Sequence, residues 1–98
     1  MLFRSLSMAE RFADFVIGFI TQHALSADPH WINMTPGIHL HSKGDKLSQQ
    51  YLTPAEAIIQ HGADVIIVGR GIVEAADPLK EAQAYRKSGW ESYIKRQT

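Results

Sequence analysis

An α/β fold built on a parallel sheet is what this 98-residue sequence predicts, and three observations predict it. Two apolar runs, Phe15 to Ile20 and Val65 to Val68, show no in–out alternation, the pattern of strands buried on both faces of a parallel sheet. Helix-start signals stand at Ser7, Thr53 and Asp77, outside those runs. Helix and strand signals therefore alternate, as they do where parallel strands are joined by helical crossovers.

Taken in order, the elements justify themselves locally. Ser7-Met-Ala-Glu10 reads as a capping box, in which the hydroxyl takes a free backbone N–H and the carboxylate reaches back. It predicts a short helix from Met8 to Asp14. The run from Phe15 to Ile20 is the first strand. Asp28-Pro29 breaks the polar link that follows, and Trp31 to Met34 is a second, weaker strand ending at Thr35-Pro36-Gly37. That link is about ten residues, short for a parallel crossover, with room for a single helical turn. Residues 37–52 carry little regular signal, and a loop of that length in a small domain is usually a lid or disordered.

Order restarts at Thr53-Pro54-Ala55-Glu56, a second capping box with proline at the first helical position. Ala55, Ile58, Ile59 and Gly62 share one helical face, and Gly62 is placed to end the helix in a left-handed conformation. Asp64 to Gly69 is the strongest strand, with four consecutive β-branched residues. Gly69-Arg70-Gly71-Ile72 is a loop, and residues 72–76 suit a short extra helix. Asp77-Pro78 starts a last helix running toward Ile94, with Arg86-Trp90-Ile94 and Tyr85-Gly89-Tyr93 on its packed side and Lys95-Arg96 at its C-terminal end. Three strands cannot close a barrel, so the sequence reads as the end portion of a larger α/β domain.

Composition excludes several function classes. Ten basic and ten acidic residues cancel to a net charge of +0, which argues against nucleic-acid binding. No cysteine is present, which removes disulfide scaffolds, thiolate metal sites and thiol nucleophiles. The longest apolar run is far too short to span a membrane, and the N-terminus has no signal-peptide pattern. The expected class is a soluble cytoplasmic protein. His39-Leu-His41 sits in a Gly/Ser loop with no carboxylate pair and reads as solvated rather than metal-binding; no metal site is expected.

The loop after Val68 has the chemistry of a phosphate site. Glycines let backbone N–H groups approach an anion, and the Arg70 guanidinium offers a two-pronged fork. Gln49, Gln50 and Tyr51 add neutral donors near the end of the long loop. In (β/α)₈ barrels the loops after the last two strands commonly bind phosphate in this manner. A surface arginine beside two loop glycines, and a polar loop with one packed aromatic, remain the plainer readings.

Met34-Thr-Pro-Gly37, then Gly44-Asp45-x-Leu47-x-Gln49-Gln50-Tyr51, then Asp64 to Ile72 together resemble the C-terminal part of orotidine 5′-phosphate decarboxylase, in particular the decarboxylase half of animal bifunctional enzymes. Met8-Ala-Glu10 and Phe15 to Ile20 fit the preceding segment, and Tyr85-Arg-Lys with Trp90-Glu91 fits the closing helix. The resemblance covers residues 8–98 and leaves residues 1–7 as an atypical start. It implies about the last three strands of a (β/α)₈ barrel. It also implies a substrate, orotidine 5′-monophosphate, that loses CO₂ to give UMP without metal or organic cofactor, in a homodimeric enzyme. Gln49, Tyr51 and Arg70 would contact the phosphate, helped by the backbone at Gly69 and Gly71, and Pro36 would lie on the pyrimidine side. Ser48 stands where the family usually has glycine.

The family's catalytic Asp-x-Lys-x-x-Asp does not occur anywhere in the sequence, so no catalytic residue is assigned. Two readings stay open. In one, the chain is the phosphate-gripping half of a decarboxylase and is inactive alone. In the other, it is a truncated isoform or fragment that binds nucleotide phosphate, or docks onto full-length subunits, without catalysis. Strand edges left open in such a piece predict poor folding or self-association.

Overall fold

A computed structural model of the chain describes residues 2–40 and 51–97. Strands β1 (Gly18–Ile20), β2 (Ile32–Thr35) and β3 (Val65–Ile66) form one sheet in the order β1-β2-β3, with both pairs parallel. Helix α1 (Leu2–Arg11) precedes the sheet, and a π-helical segment (Glu56–Gln60) lies between β2 and β3. Helices α2 (Arg70–Val73) and α3 (Pro78–Gln97) follow. The architecture is α/β, and strands consecutive in the chain are neighbours in the sheet.

The strands are shorter than the apolar runs that predict them. In the first run, Phe15 and Val16 close a turn by donating to the Phe12 carbonyl at 2.8 and 2.9 Å, so pairing begins only at Gly18 opposite Ile32. Burial on both faces also fails: Phe15 is 85% exposed, Ile20 70% and Val65 45%. The cause is one-sided packing. The core of Ile38, Ala57, Ile58, Ala63 and Tyr85 gathers Ile66, Val68 and Ile72 around it, while residues 15–20 lie outside that cluster. Apolar surface of this kind beside short strands invites pairing with other copies. In sedimentation at rising concentration the purified chain is expected to associate. A monomer at all concentrations with one sharp melting transition is the contrary result.

Helix α1 corrects the first capping box. It starts at Leu2, so Ser7 lies inside it rather than at its cap. Residues ahead of Ser7 already favour a helix, since Leu2, Leu6 and Ala9 recur at helical spacing, and Ala9 is buried at 6% exposure. The link between β1 and β2 holds turns and no helix. Asp28 shapes it: its carboxylate accepts from His30 N–H at 2.9 Å and its carbonyl from Trp31 N–H at 3.1 Å.

The second capping box forms as the residues dictate. Thr53 N–H donates to Glu56 Oε1 at 2.9 Å, and Glu56 N–H donates to Thr53 Oγ1 at 3.2 Å. The helix after it then widens, with His61 N–H bonded to the Glu56 carbonyl five residues back at 3.0 Å. That wider turn displaces the regular helical face. Pro54, Ala57 and Ile58 are buried, whereas Ala55 is exposed and Ile59 is 39% exposed. Gly62 ends the segment at φ +81°, and Ala63 N–H reaches back to the Ala57 carbonyl at 2.9 Å.

Asp77 caps α3, accepting from Lys80 N–H at 3.2 Å. The two rows on this helix part company. Tyr85 and Ser92 are buried and Gly89 and Tyr93 half-buried, while Trp90 is 62% exposed and Arg86 faces solvent. Among the described residues no helix is long and apolar enough to cross a membrane.

Candidate functional site

Parallel neighbours deliver the loops at their C-terminal ends to the same end of a sheet, which is where α/β folds bind ligands. Here β2 runs into Pro36-Gly37 and β3 into Val68-Gly69. Ladder bonds carry the register to that end, with Ile67 N–H on the Thr35 carbonyl at 2.8 Å. Thr35 is fully buried and pins the end of β2 through its hydroxyl on the Thr21 carbonyl at 2.8 Å.

The long loop is tied at its base. Ile38 and Leu52 form a parallel bridge, Leu52 N–H donating to the Gly37 carbonyl and His39 N–H to the Leu52 carbonyl, each at 2.9 Å. Ile38, 2% exposed, anchors the bridge in the core. The bridge sets Tyr51 beside His39, with ring centroids 4.2 Å apart and planes at 53°. The other wall comes from the turn after β3. Gly69 caps α2, its carbonyl accepting from Ile72 and Val73 N–H at 3.0 Å each. Arg70 and Gly71 thus belong to the first turn of a helix that begins two residues before the 72–76 segment the sequence suggested.

Between these walls lies a cavity of about 210 Å³ lined by Gly37, Ile38, His39, Tyr51, Gly69 and Arg70. Of the six sequence-derived site residues, Tyr51, Gly69 and Arg70 meet here. Pro36 is half-buried one residue before the wall. Gly71 lies one residue beyond it, and a Cβ there would run into Tyr85 Oη. Gln49, with His41, Ser48 and the rest of 41–50, lies outside the described residues. The cavity is smaller than the roughly 300–1,000 Å³ of a site that engulfs a drug-sized ligand. Its size suits a small anionic group, and its side chains include a guanidinium, a phenol and an imidazole. Among the described residues that line it there is no carboxylate and no lysine.

His39 is the residue that sequence reasoning missed. Read as part of a solvated loop, it stands half-buried in the cavity wall against Tyr51. The signal was the alternation Ile38, His39, Leu40, in which two packed apolar residues flank an outward one, as in an extended segment. Among the described residues no three His, Asp or Glu side chains are grouped to hold a metal ion.

A larger, mostly apolar cleft of about 1,160 Å³ opens between α3 and the starts of β2 and β3, lined by Trp31, Ile32, Val65, Trp90 and others. Volume alone would favour it as a binding site. It lies at the N-terminal ends of the strands, however, and converging anion donors sit at the opposite end.

Most of the chain is similar to known proteins. Residues 3–85 match the family described as "Orotidine 5'-phosphate decarboxylase / HUMPS family". An orotidine 5′-phosphate decarboxylase of Rhizopus oryzae is 53% identical over 95 residues, covering 94% of this chain and 36% of that protein. A uridine 5′-monophosphate synthase of Bos taurus is 47% identical over 92 residues, covering 94% of this chain and 19% of that protein. The decarboxylase of Pachysolen tannophilus is 46% identical over 97 residues, again across 36% of its length. The chain thus spans 36% of the length of these decarboxylases and a smaller share of the synthase.

Proposed function

The chain belongs to the orotidine 5′-phosphate decarboxylase family, and from that premise we propose that it supplies the phosphate grip of such an enzyme. It corresponds, in this reading, to about the last three strands of a (β/α)₈ barrel that converts orotidine 5′-monophosphate to UMP and CO₂. The observation that carries it is the convergence of Tyr51 and Arg70 on one small cavity at the C-terminal ends of adjacent parallel strands. Gln49, by the family resemblance, would add a further donor.

The grip matters although the phosphate is remote from the carbon that loses CO₂. Binding energy from a non-reacting group can drive closure and strain at the reacting centre. Charge-assisted hydrogen bonds are worth roughly 1.5–3 kcal/mol each, so three or four supply on the order of 5–10 kcal/mol if additive. The lysine that would protonate the carbanion belongs to the family's Asp-x-Lys-x-x-Asp segment, a pattern this sequence does not contain. In this reading the chain binds and orients, and the proton is delivered from outside it.

Thermal unfolding with UMP and with uridine tests the proposal. UMP is expected to raise the melting temperature and uridine, which lacks the phosphate, to leave it nearly unchanged. Equal response to both, or to neither, refutes a phosphate grip in this chain.

A further inference from the structure

We infer that Tyr85 is a positioning residue of the phosphate cavity, its hydroxyl holding the two loops that form the walls at a fixed separation; this rests on the phosphate reading above. Tyr85 lies on α3, outside both loops and outside the cavity lining. It is 3% exposed, so its hydroxyl is placed by the core and not by solvent. Two contacts define what the hydroxyl does. Leu40 N–H donates to Tyr85 Oη at 3.1 Å, which fixes the loop just beyond the Ile38–Leu52 bridge. On its other side the same oxygen is packed against Gly71, where any Cβ would collide with it. Leu40 follows His39 and Gly71 follows Arg70, so the hydroxyl touches the residue next to a wall residue on each side.

A phenylalanine has the same ring and would fill the same core space. The hydroxyl is therefore a separable feature. Without it the Leu40 N–H loses its acceptor, and the segment just beyond the Ile38–Leu52 bridge loses its tie to α3 and can shift against the Arg70 turn. A drift of well under one hydrogen-bond length is enough to stop Tyr51 and Arg70 from serving the same anion. Glycine at position 71 gains a reason independent of ligand contact: it lets the post stand directly under the turn.

The test is UMP affinity of the purified chain and its variants at one fixed concentration, well below the melting transition. Tyr85→Phe is expected to weaken UMP binding about five- to tenfold while its ligand-free melting temperature stays near that of the unsubstituted chain. Gly71→Ala, which pushes on the hydroxyl from the other side, is expected to weaken binding too. Combined, the two should cost less than the product of the single losses, because both act on one contact. Unchanged UMP affinity in Tyr85→Phe, or a lowered melting temperature with affinity intact, overturns the positioning role and leaves Tyr85 as core. Multiplicative losses in the double variant overturn it as well. An unsubstituted chain that binds UMP no better than uridine overturns the phosphate reading, and with it this inference; that result is read before any variant is made.

Discussion

Replacing Arg70 with alanine is expected to weaken UMP binding by about ten- to a hundredfold and to leave the ligand-free chain as stable as before. Arg70 is the one permanent cation among the described residues that line the cavity. A hydrogen bond to a charged group is worth about 1.5–3 kcal/mol net, and each 1.4 kcal/mol is tenfold in affinity. The stability half of the expectation follows from position. Arg70 is exposed in the first turn of a four-residue helix, and the bonds that hold that turn come from the Gly69 carbonyl rather than from the Arg70 side chain. Arg70→Lys separates charge from shape. A lysine keeps the attraction but not the planar fork, so its affinity should fall between the two. Binding should also weaken as salt is raised, since an exposed cation is screened. Isothermal titration across the three proteins checks all of this. An alanine variant that binds UMP as tightly as the parent removes Arg70 from the phosphate site.

What the sequence discloses, and what it hides, follows from the range of the interactions involved. Thr53, Glu56, Gly62 and Asp77 act within a few residues of themselves, and each does what local chemistry predicts. The parallel order is legible for a related reason, because alternation of helix and strand leaves few other topologies. Strand length is not local. Phe15 and Val16 look like strand residues until the Phe12 carbonyl takes both of their N–H groups. The wide turn at Glu56 has no sequence mark either, and Ala55 and Ile59 beside it are exposed. Ser7 misleads because the capping pattern it completes lies inside a helix that had already begun.

The candidate site divides along the same line. Tyr51 and Arg70 are recognisable from residue type and order, and the structure brings them to one cavity from opposite sides of the sheet end. His39 and Tyr85 act through the Ile38–Leu52 bridge and through a contact between α3 and Leu40, pairings distant in sequence. The alternation Ile38, His39, Leu40 marks the first of them locally, but no spacing rule reaches the contact of the second.

Arg96 shows how much can rest on a residue whose local reading is ordinary. At the end of a helix it passes for a partner of the helix dipole, a role worth roughly 0.3–1 kcal/mol and open to lysine as well. The structure gives it other work. One Arg96 nitrogen, Nη1, donates to the Ile58 carbonyl at 3.0 Å, inside the π-helical segment, and to the Ala63 carbonyl at 2.8 Å, three residues past its end. The other, Nη2, meets Asp64 Oδ1 at 3.3 Å. Asp64 in turn accepts the Asn33 N–H at 2.8 Å, so one guanidinium joins the end of α3 to the start of β3 and through it to β2. The Tyr93 ring covers it at 5.4 Å. Arg96→Ala would take a donor from two carbonyls and leave Asp64 Oδ1 without its cation. With the ion pair discounted for its partial exposure of 24% and 36%, the expected loss is about 2–4 kcal/mol, mostly from the carbonyl bonds. At about 4–8 °C per kcal/mol that is a fall of roughly 8–32 °C in melting temperature. Lysine decides between the two roles. It restores the charge but cannot reach three acceptors in a plane, so Arg96→Lys should recover only a small part of the loss. If the lysine chain melts with the parent, charge at a helix end was the whole contribution, and the network through Asp64 carries no weight.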